Sequence, residues 1–193
     1  MTRWAARLLV LLMLVPLAGC AMRVTPPTEV AEPVAVHLLD HGRHTSLLLP
    51  TDSGMVRYTF GDWRWYAEDD TGAWRGFRAL LTPSSSAFGR AEVEAETLDG
   101  ALRRFRVGYL HRHAVEVERE QAEALRRELD ARHAEAERHT YSRRYNLDFA
   151  GQPDAYHLIN NSNSRVAEWL EAMGCEVSGP RLYARWHVEE PAP

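Results

Sequence analysis

The stretch VAVHLLDHGRHTSLLLP, residues 34–50, carries the clearest structural signal of the chain. Two short apolar runs, VAVHLL at 34–39 and SLLLP at 46–50, lie on either side of a polar segment that contains Gly42. Apolar runs of this length around a glycine turn are typical of a β-hairpin. The stretch therefore predicts two antiparallel strands joined by a turn at Asp40-His41-Gly42.

The rest of the chain extends this hairpin into a mixed domain. Further strand-like segments are MVRYTF (55–60), VEAETL (93–98), RFRVGYL (104–110), HAVEV (113–117) and RLYARWHV (181–188). Helical patterns are found at TGAWRGFRALL (71–81), from Glu118 to about His139, and over 164–173, where NNSNS precedes the helix and Gly174 ends it. The predicted fold class is α+β, an antiparallel sheet with packed helices.

The first twenty residues indicate where the protein resides. Arg3 and Arg7 precede an apolar run, Leu8 to Leu17, that is too short for a permanent membrane-spanning helix. The run ends in LAGC, which resembles a bacterial lipobox, with Cys20 as the lipid acceptor. We expect a lipoprotein that is anchored through acyl chains on Cys20, faces the periplasm and resides in the outer membrane.

The sequence divides into four parts on this interpretation. Residues 1–19 form the signal peptide, and residues 20–33 comprise the lipidated cysteine and a proline-rich flexible tether. Residues 34–188 form a single α+β domain, and 189–193 form a tail.

The net charge bears on the class of partner, and the cysteine content bears on disulfide formation. The formal net charge of −4 argues against nucleic acid as a partner. Cys20 and Cys175 are the two cysteines, so lipidation of the first leaves no intrachain disulfide. Cys175 follows the helix-ending Gly174 and is interpreted as a small buried apolar residue rather than a reactive thiol.

Three segments resemble a known family. HGRHTSLLLP (41–50), FGDWRWY (60–66) and YHLINNSNSRVAEWLEAMG (156–174) are similar to motifs of a family of uncharacterised proteobacterial proteins, N-G-W-H-T-D-L-V-L-P, F-G-x-G-D-x-x-F-Y and T-C-N-T-W. That family in turn resembles circularly permuted papain-like hydrolases related to NlpC-type cell-wall peptidases. The resemblance implies a permuted papain-like scaffold, with His44 as the base, Asp62 as its orienting group and the nucleophile at position 162.

The residue at position 162 departs from the family. The family has cysteine there, whereas this chain has Ser162, whose hydroxyl a helix dipole alone does not activate. Arg43 and Arg165 stand where the family has tryptophan. Alternatively, Ser162 only caps the helix and His44 is a strand-end histidine bonded to a carbonyl.

Two functions follow from these alternatives. The first is a non-catalytic envelope lipoprotein in which the diverged papain-like cleft binds a cell-wall peptide, a glycan or an envelope protein. The other is a cell-envelope amide or ester hydrolase, or an acyltransferase, that uses Ser162 and His44. The sequence leaves open whether the protein is an enzyme.

The histidines raise the question of a metal site. His37, His41 and His44 lie within eight residues, but no second dense ligand motif follows them. We therefore expect no metal and no cofactor. Trp63 and Trp65 are interpreted as core or as the wall of a groove.

Overall fold

The hairpin predicted over residues 34–50 is present in the structure, a computed structural model that describes residues 21–72 and 81–189. Strand β2 spans Pro33–Asp40 and strand β3 spans Thr45–Pro50. They pair antiparallel, with His37 opposite Leu48 and Asp40 opposite Thr45. The predicted α+β class is confirmed.

These two strands belong to a seven-stranded sheet. Its other strands are β4 (Gly54–Asp62), β5 (Ser84–Glu94), β6 (His111–Glu118), β7 (His139–Ser142) and β8 (Leu147–Tyr156). From one edge of the sheet to the other, the order is β6-β2-β3-β4-β5-β8-β7. Every neighbouring pair is antiparallel. Because successive side chains of a strand point to opposite sides, each strand contributes to two faces of the sheet.

The first face is covered by two long helices, α3 (Arg119–Ala134) and α4 (Ser162–Ala172). Leu125 and Leu129 of α3 and Leu170 of α4 pack into one cluster with side chains such as Leu47 and Tyr58 of the sheet. Both predicted helices are present, although α3 ends five residues before His139.

The second face is covered by shorter helices. Helix α1 spans Trp63–Tyr66, and helix α2 spans Leu98–Phe105. Phe105 packs with Leu39 and Leu48, while Trp63 packs with Phe149.

A second, three-stranded sheet includes residues that the sequence assigned to the tether. Strand β1 (Met22–Thr25) lies between β10 (Trp186–Val188), which is parallel to it, and β9 (Glu176–Ser178), which is antiparallel. Met22 and Val24 are fully buried in the main core. The prediction of a flexible tether is therefore wrong for residues 22–25. Met22 and Val24 are buried in the core, and this segment pairs with strands from the other end of the chain.

Two predicted strands are wrong over most of their length. Of the segment 93–98 only Val93 and Glu94 lie in a strand, the end of β5, and Leu98 begins helix α2. The segment 104–110 starts in the last turn of α2, whose apolar residues Leu98, Ala101, Leu102 and Phe105 recur at helical spacing. The Thr97 side chain accepts a hydrogen bond from the Gly100 N–H at 3.1 Å and caps the helix. Strand β8 was not predicted, since its sequence LDFAGQPDAY lacks a clean alternation and contains glycine and proline.

Several predictions lie outside the described residues. These are the signal peptide at 1–19, Cys20, most of the predicted helix at 71–81 and the tail beyond residue 189. None of the helices within 21–72 and 81–189 combines the length and apolar character needed to cross a membrane.

Candidate functional site

His44 lies in the turn just before β3, and its ring is held on the second face of the sheet. Its Nε2 hydrogen bonds with the Thr59 hydroxyl, and its Nδ1 lies 3.1 Å from the Tyr66 hydroxyl. Burial, with smaller contributions from His41 and the Arg57 cation, holds the pKa of His44 well below its usual range. The imidazole is therefore neutral at physiological pH, with one nitrogen as donor and the other as acceptor.

Ser162 is the first residue of helix α4 and is only 1% exposed. Asn161 caps this helix: its Oδ1 accepts hydrogen bonds from the backbone N–H of Asn163 at 2.8 Å and of Ser164 at 3.1 Å. The Ser164 hydroxyl accepts from the Asn161 N–H at 3.0 Å and completes a capping box. The alternative prediction that Ser162 is the cap is wrong by one residue. In the described part of the chain the Ser162 hydroxyl forms no hydrogen bond.

Asp62 caps the short helix α1 and does not contact His44 through a hydrogen bond. Its carboxylate accepts from the Trp65 N–H at 2.8 Å and from the Ser84 hydroxyl at 2.5 Å. Both contacts hold the start of α1, the helix that carries Tyr66. Asp62 therefore supports His44 indirectly, by fixing the helix that presents Tyr66.

A hydrogen bond joins the residues that follow His44 and Ser162 in the sequence, Thr45 and Asn163. The buried Thr45 hydroxyl donates to Asn163 Oδ1 at 2.9 Å and accepts from Trp186 Nε1 at 2.8 Å. Thr45 thus points to the first face, where α4 packs. Because side chains alternate along a strand, the ring of His44 is directed to the other face. No hydrogen bond among the described residues joins Ser162, His44 and Asp62.

His44 forms part of a cavity of about 380 Å³, called here the second-face cavity. Its walls are formed by His41, Arg43, His44, Ser46, Arg57, Thr59, Tyr66, Arg106, Val107, Gly108, Arg144, Tyr145 and Leu147. The His41 Nδ1 lies 2.7 Å from the Gly108 carbonyl, and its Nε2 lies 2.9 Å from the Ser46 hydroxyl. His41 therefore donates from Nδ1 and accepts at Nε2, and these two hydrogen bonds fix the orientation of its ring.

The sequence did not indicate Arg57 and Tyr66 as functional residues. Arg57 interrupts the apolar segment MVRYTF, and alternation alone predicts a solvent-exposed side chain there. It is instead 2% exposed, because helix α2 and the chain around Tyr145 cover this face. Tyr66 closes over Gly61, where an added Cβ would lie only 2.3 Å from its ring.

The two arginines at the family's tryptophan positions have separate environments. Arg165 pairs with Asp154 at 2.8 Å and Glu168 at 2.9 Å, and its guanidinium lies 5.1 Å from the centre of the Phe60 ring. Arg43 is exposed and lines the second-face cavity. The substitutions therefore do not form one altered site around Ser162.

The groups that could hold a metal differ from those considered in the sequence. His133, His139 and Asp148 place one ligand atom each within 4.8 Å of one another. The Nε2 of His133, however, also lies 3.1 Å from the Asp148 carbonyl oxygen.

Cys175 is buried, which raises the pKa of its thiol to about 11 and makes it a poor nucleophile.

Comparisons with protein-family models, with curated proteins and with solved structures gave no match to this chain. The resemblance to the proteobacterial family and to papain-like hydrolases therefore stays a prediction from the motifs.

Proposed function

We propose that this protein is a lipid-anchored protein of the bacterial cell envelope that binds a ligand in the second-face cavity without cleaving it. The lipobox ending in Cys20 supports the location. The observation that supports binding over hydrolysis is the placement of His44 and Ser162. The imidazole is hydrogen bonded on the second face, whereas Ser162 begins a helix packed on the first.

Serine catalysis depends on a base within hydrogen-bond reach of the hydroxyl. Ser162 has no such base among the described residues, and both nitrogens of His44 are already occupied by Thr59 and Tyr66. The N-terminus of α4 favours an anion, but the dipole alone does not deprotonate a serine. The candidate ligands are a cell-wall peptide, a glycan or an envelope protein.

A serine-directed fluorophosphonate tests this proposal directly. We expect the purified full chain to remain unlabelled at concentrations that label a serine hydrolase completely. Labelling that disappears in Ser162→Ala would overturn the proposal and favour the amide or ester hydrolase.

A thiol at position 162 provides a second test. In a Cys175→Ala background, Ser162→Cys is expected to react slowly with iodoacetamide, because residue 162 is 1% exposed and lacks a partner base. The Cys175 thiol of the wild-type chain is the buried reference. Rapid alkylation that slows on His44→Gln would show that the imidazole reaches position 162, contrary to the proposal.

A further inference from the structure

The second-face cavity has a strongly cationic wall. Among the described residues, four arginines line it, namely Arg43, Arg57, Arg106 and Arg144, and no described aspartate or glutamate does so. Arg144 is exposed and pairs with Asp69 at 2.8 Å, outside the cavity. A volume of about 380 Å³ is within the range of pockets that hold small ligands.

Arg57 is the buried cation of this cavity. Its Nη2 donates to the Tyr145 carbonyl at 2.7 Å, while Nε and Nη1 are buried without a hydrogen-bond partner. No carboxylate pairs with it in residues 21–72 and 81–189, and its guanidinium carbon lies 5.7 Å from the centre of the Phe105 ring. Burial lowers the pKa of Arg57 to about 10, so the side chain remains charged near neutral pH.

An unpaired buried charge is costly to a folded protein, and proteins keep such groups mainly at functional sites. A bound anion would satisfy the free guanidinium donors and compensate the charge. The exposed Arg43 and Arg106 add positive potential that would attract an anion to the cavity.

The hydrogen bonds around His44 leave one further donor. Neutral His44, Thr59 and Tyr66 together carry three polar protons, and the two hydrogen bonds that join them use two. If Thr59 donates to the imidazole, the Tyr66 hydroxyl keeps a free proton. If Tyr66 donates to the imidazole, the Thr59 hydroxyl keeps the free proton instead. In both arrangements one hydroxyl of the cavity wall can donate to a ligand.

We propose that the second-face cavity binds a carboxylate group of its ligand through the Arg57 guanidinium and the free hydroxyl of Thr59 or Tyr66. A planar carboxylate can accept from the guanidinium with one oxygen and from the hydroxyl with the other, and it is the anionic group that a peptide ligand of the proposed kind carries. This inference rests on the proposed binding function and specifies the chemistry of the bound group.

The test uses N-acetylalanine, the smallest peptide-like carboxylate, and its neutral amide as a matched probe. Thermal unfolding of the full chain in mild detergent is followed with each probe and with inorganic phosphate, at equal ionic strength. We expect the unfolding temperature to rise with N-acetylalanine and to stay constant with the amide and with phosphate. No rise with N-acetylalanine, an equal rise with the amide, or a rise with phosphate alone would overturn the proposal.

Two variants connect the effect to Arg57. Arg57→Met should abolish the shift and leave the unfolding temperature without ligand equal or higher, because an unpaired cation is removed. The control Arg127→Met, which removes an exposed arginine of α3, should keep the full shift. A shift retained in Arg57→Met would refute the assignment, as would a lowered unfolding temperature in the absence of ligand, which would indicate a structural role for Arg57.

A measurement on the wild-type chain does not depend on how the variants fold. In ¹H–¹⁵N spectra, one arginine Nε–H signal should move on addition of N-acetylalanine and not on addition of the amide. Absence of such a signal would also count against the proposal. Fluorophosphonate labelling of Ser162 together with intact carboxylate binding would refute the non-catalytic function alone. Loss of the carboxylate effect without labelling would refute this inference alone.

Discussion

Thr45 holds together three distant parts of the chain through one hydroxyl group. It donates to Asn163 at the start of α4 and accepts from the indole of Trp186 in β10. Thr45→Val keeps the β-branched shape and the strand preference but removes both hydrogen bonds. Asn163 is 1% exposed and Trp186 is 6% exposed, so water does not readily replace the lost partner.

The expected loss follows from these two groups. Each buried polar atom left without a partner costs about 1–3 kcal/mol, and the apolar methyl group gained by valine recovers part of that. We expect Thr45→Val to lower the free energy of unfolding by about 2–4 kcal/mol. The same substitution at Thr51 is the matched control, because the Thr51 hydroxyl oxygen is already buried without a partner. Thr51→Val should be neutral or stabilising.

Urea unfolding at neutral pH, followed by tryptophan fluorescence, measures both variants. An unchanged dependence on urea would show that the folded and unfolded states keep their compactness. A loss below about 0.5 kcal/mol for Thr45→Val, the level of ordinary surface substitutions, would refute the reasoning. An equal loss in Thr51→Val would refute it too, since the effect would then arise from the threonine-to-valine change itself.

Three further predictions concern the core, the pH dependence and the anchor. Leu170→Ala should lower the free energy of unfolding by about 2–5 kcal/mol, because the Leu170 side chain of α4 is fully buried in the core against the sheet. The control Leu110→Ala, at an exposed position, should leave the free energy of unfolding nearly unchanged in the same urea assay. Burial, assisted by Arg112, lowers the pKa of His37 from 6.5 to about 4, so the unfolded chain binds the proton first as the pH falls. The stability that neutral His37 contributes above pH 6.5 should therefore be lost as the pH falls toward 4. Between pH 7 and 5 we expect the free energy of unfolding to fall by about 1–2 kcal/mol, after allowance for the partial exposure of His37. Urea unfolding at the two pH values measures this loss, and an equal pH dependence in His37→Gln would contradict the assignment to His37. Cys20→Ala should release the protein from membranes or leave an uncleaved precursor, and membrane fractionation identical to that of wild type would exclude lipid anchoring.

Local pattern was sufficient for the elements whose partners are close in sequence. The alternation and the glycine turn over residues 34–50 predicted β2 and β3, because a hairpin needs only its own turn and its own apolar faces. The stripe containing Leu170 and the polar run before it likewise predicted α4. The fold class followed from these segments.

Elements that depend on partners distant in sequence could not be predicted from local pattern alone. Strand β1 exists because β9 and β10 pair with it from the other end of the chain, and β8 becomes a strand between β5 and β7 despite its glycine and proline. Helix α2 replaced two predicted strands because β-branched and aromatic residues near it mimic strand composition, while its apolar stripe packs on the second face.

The sequence by itself determined the hairpin, the main helices and the chemical identity of His44 and Ser162, and it predicts lipidation at Cys20. The tertiary structure decided which side chains meet. The Thr45 hydroxyl is hydrogen bonded to the start of α4, and the His44 imidazole is bonded to Thr59 and Tyr66 instead. Arg57 is buried in a cavity where no acidic group of the described residues pairs with it. The physical reason is that periodicity specifies only the face on which a side chain lies, whereas its neighbours are set by the packing of segments that are remote in sequence.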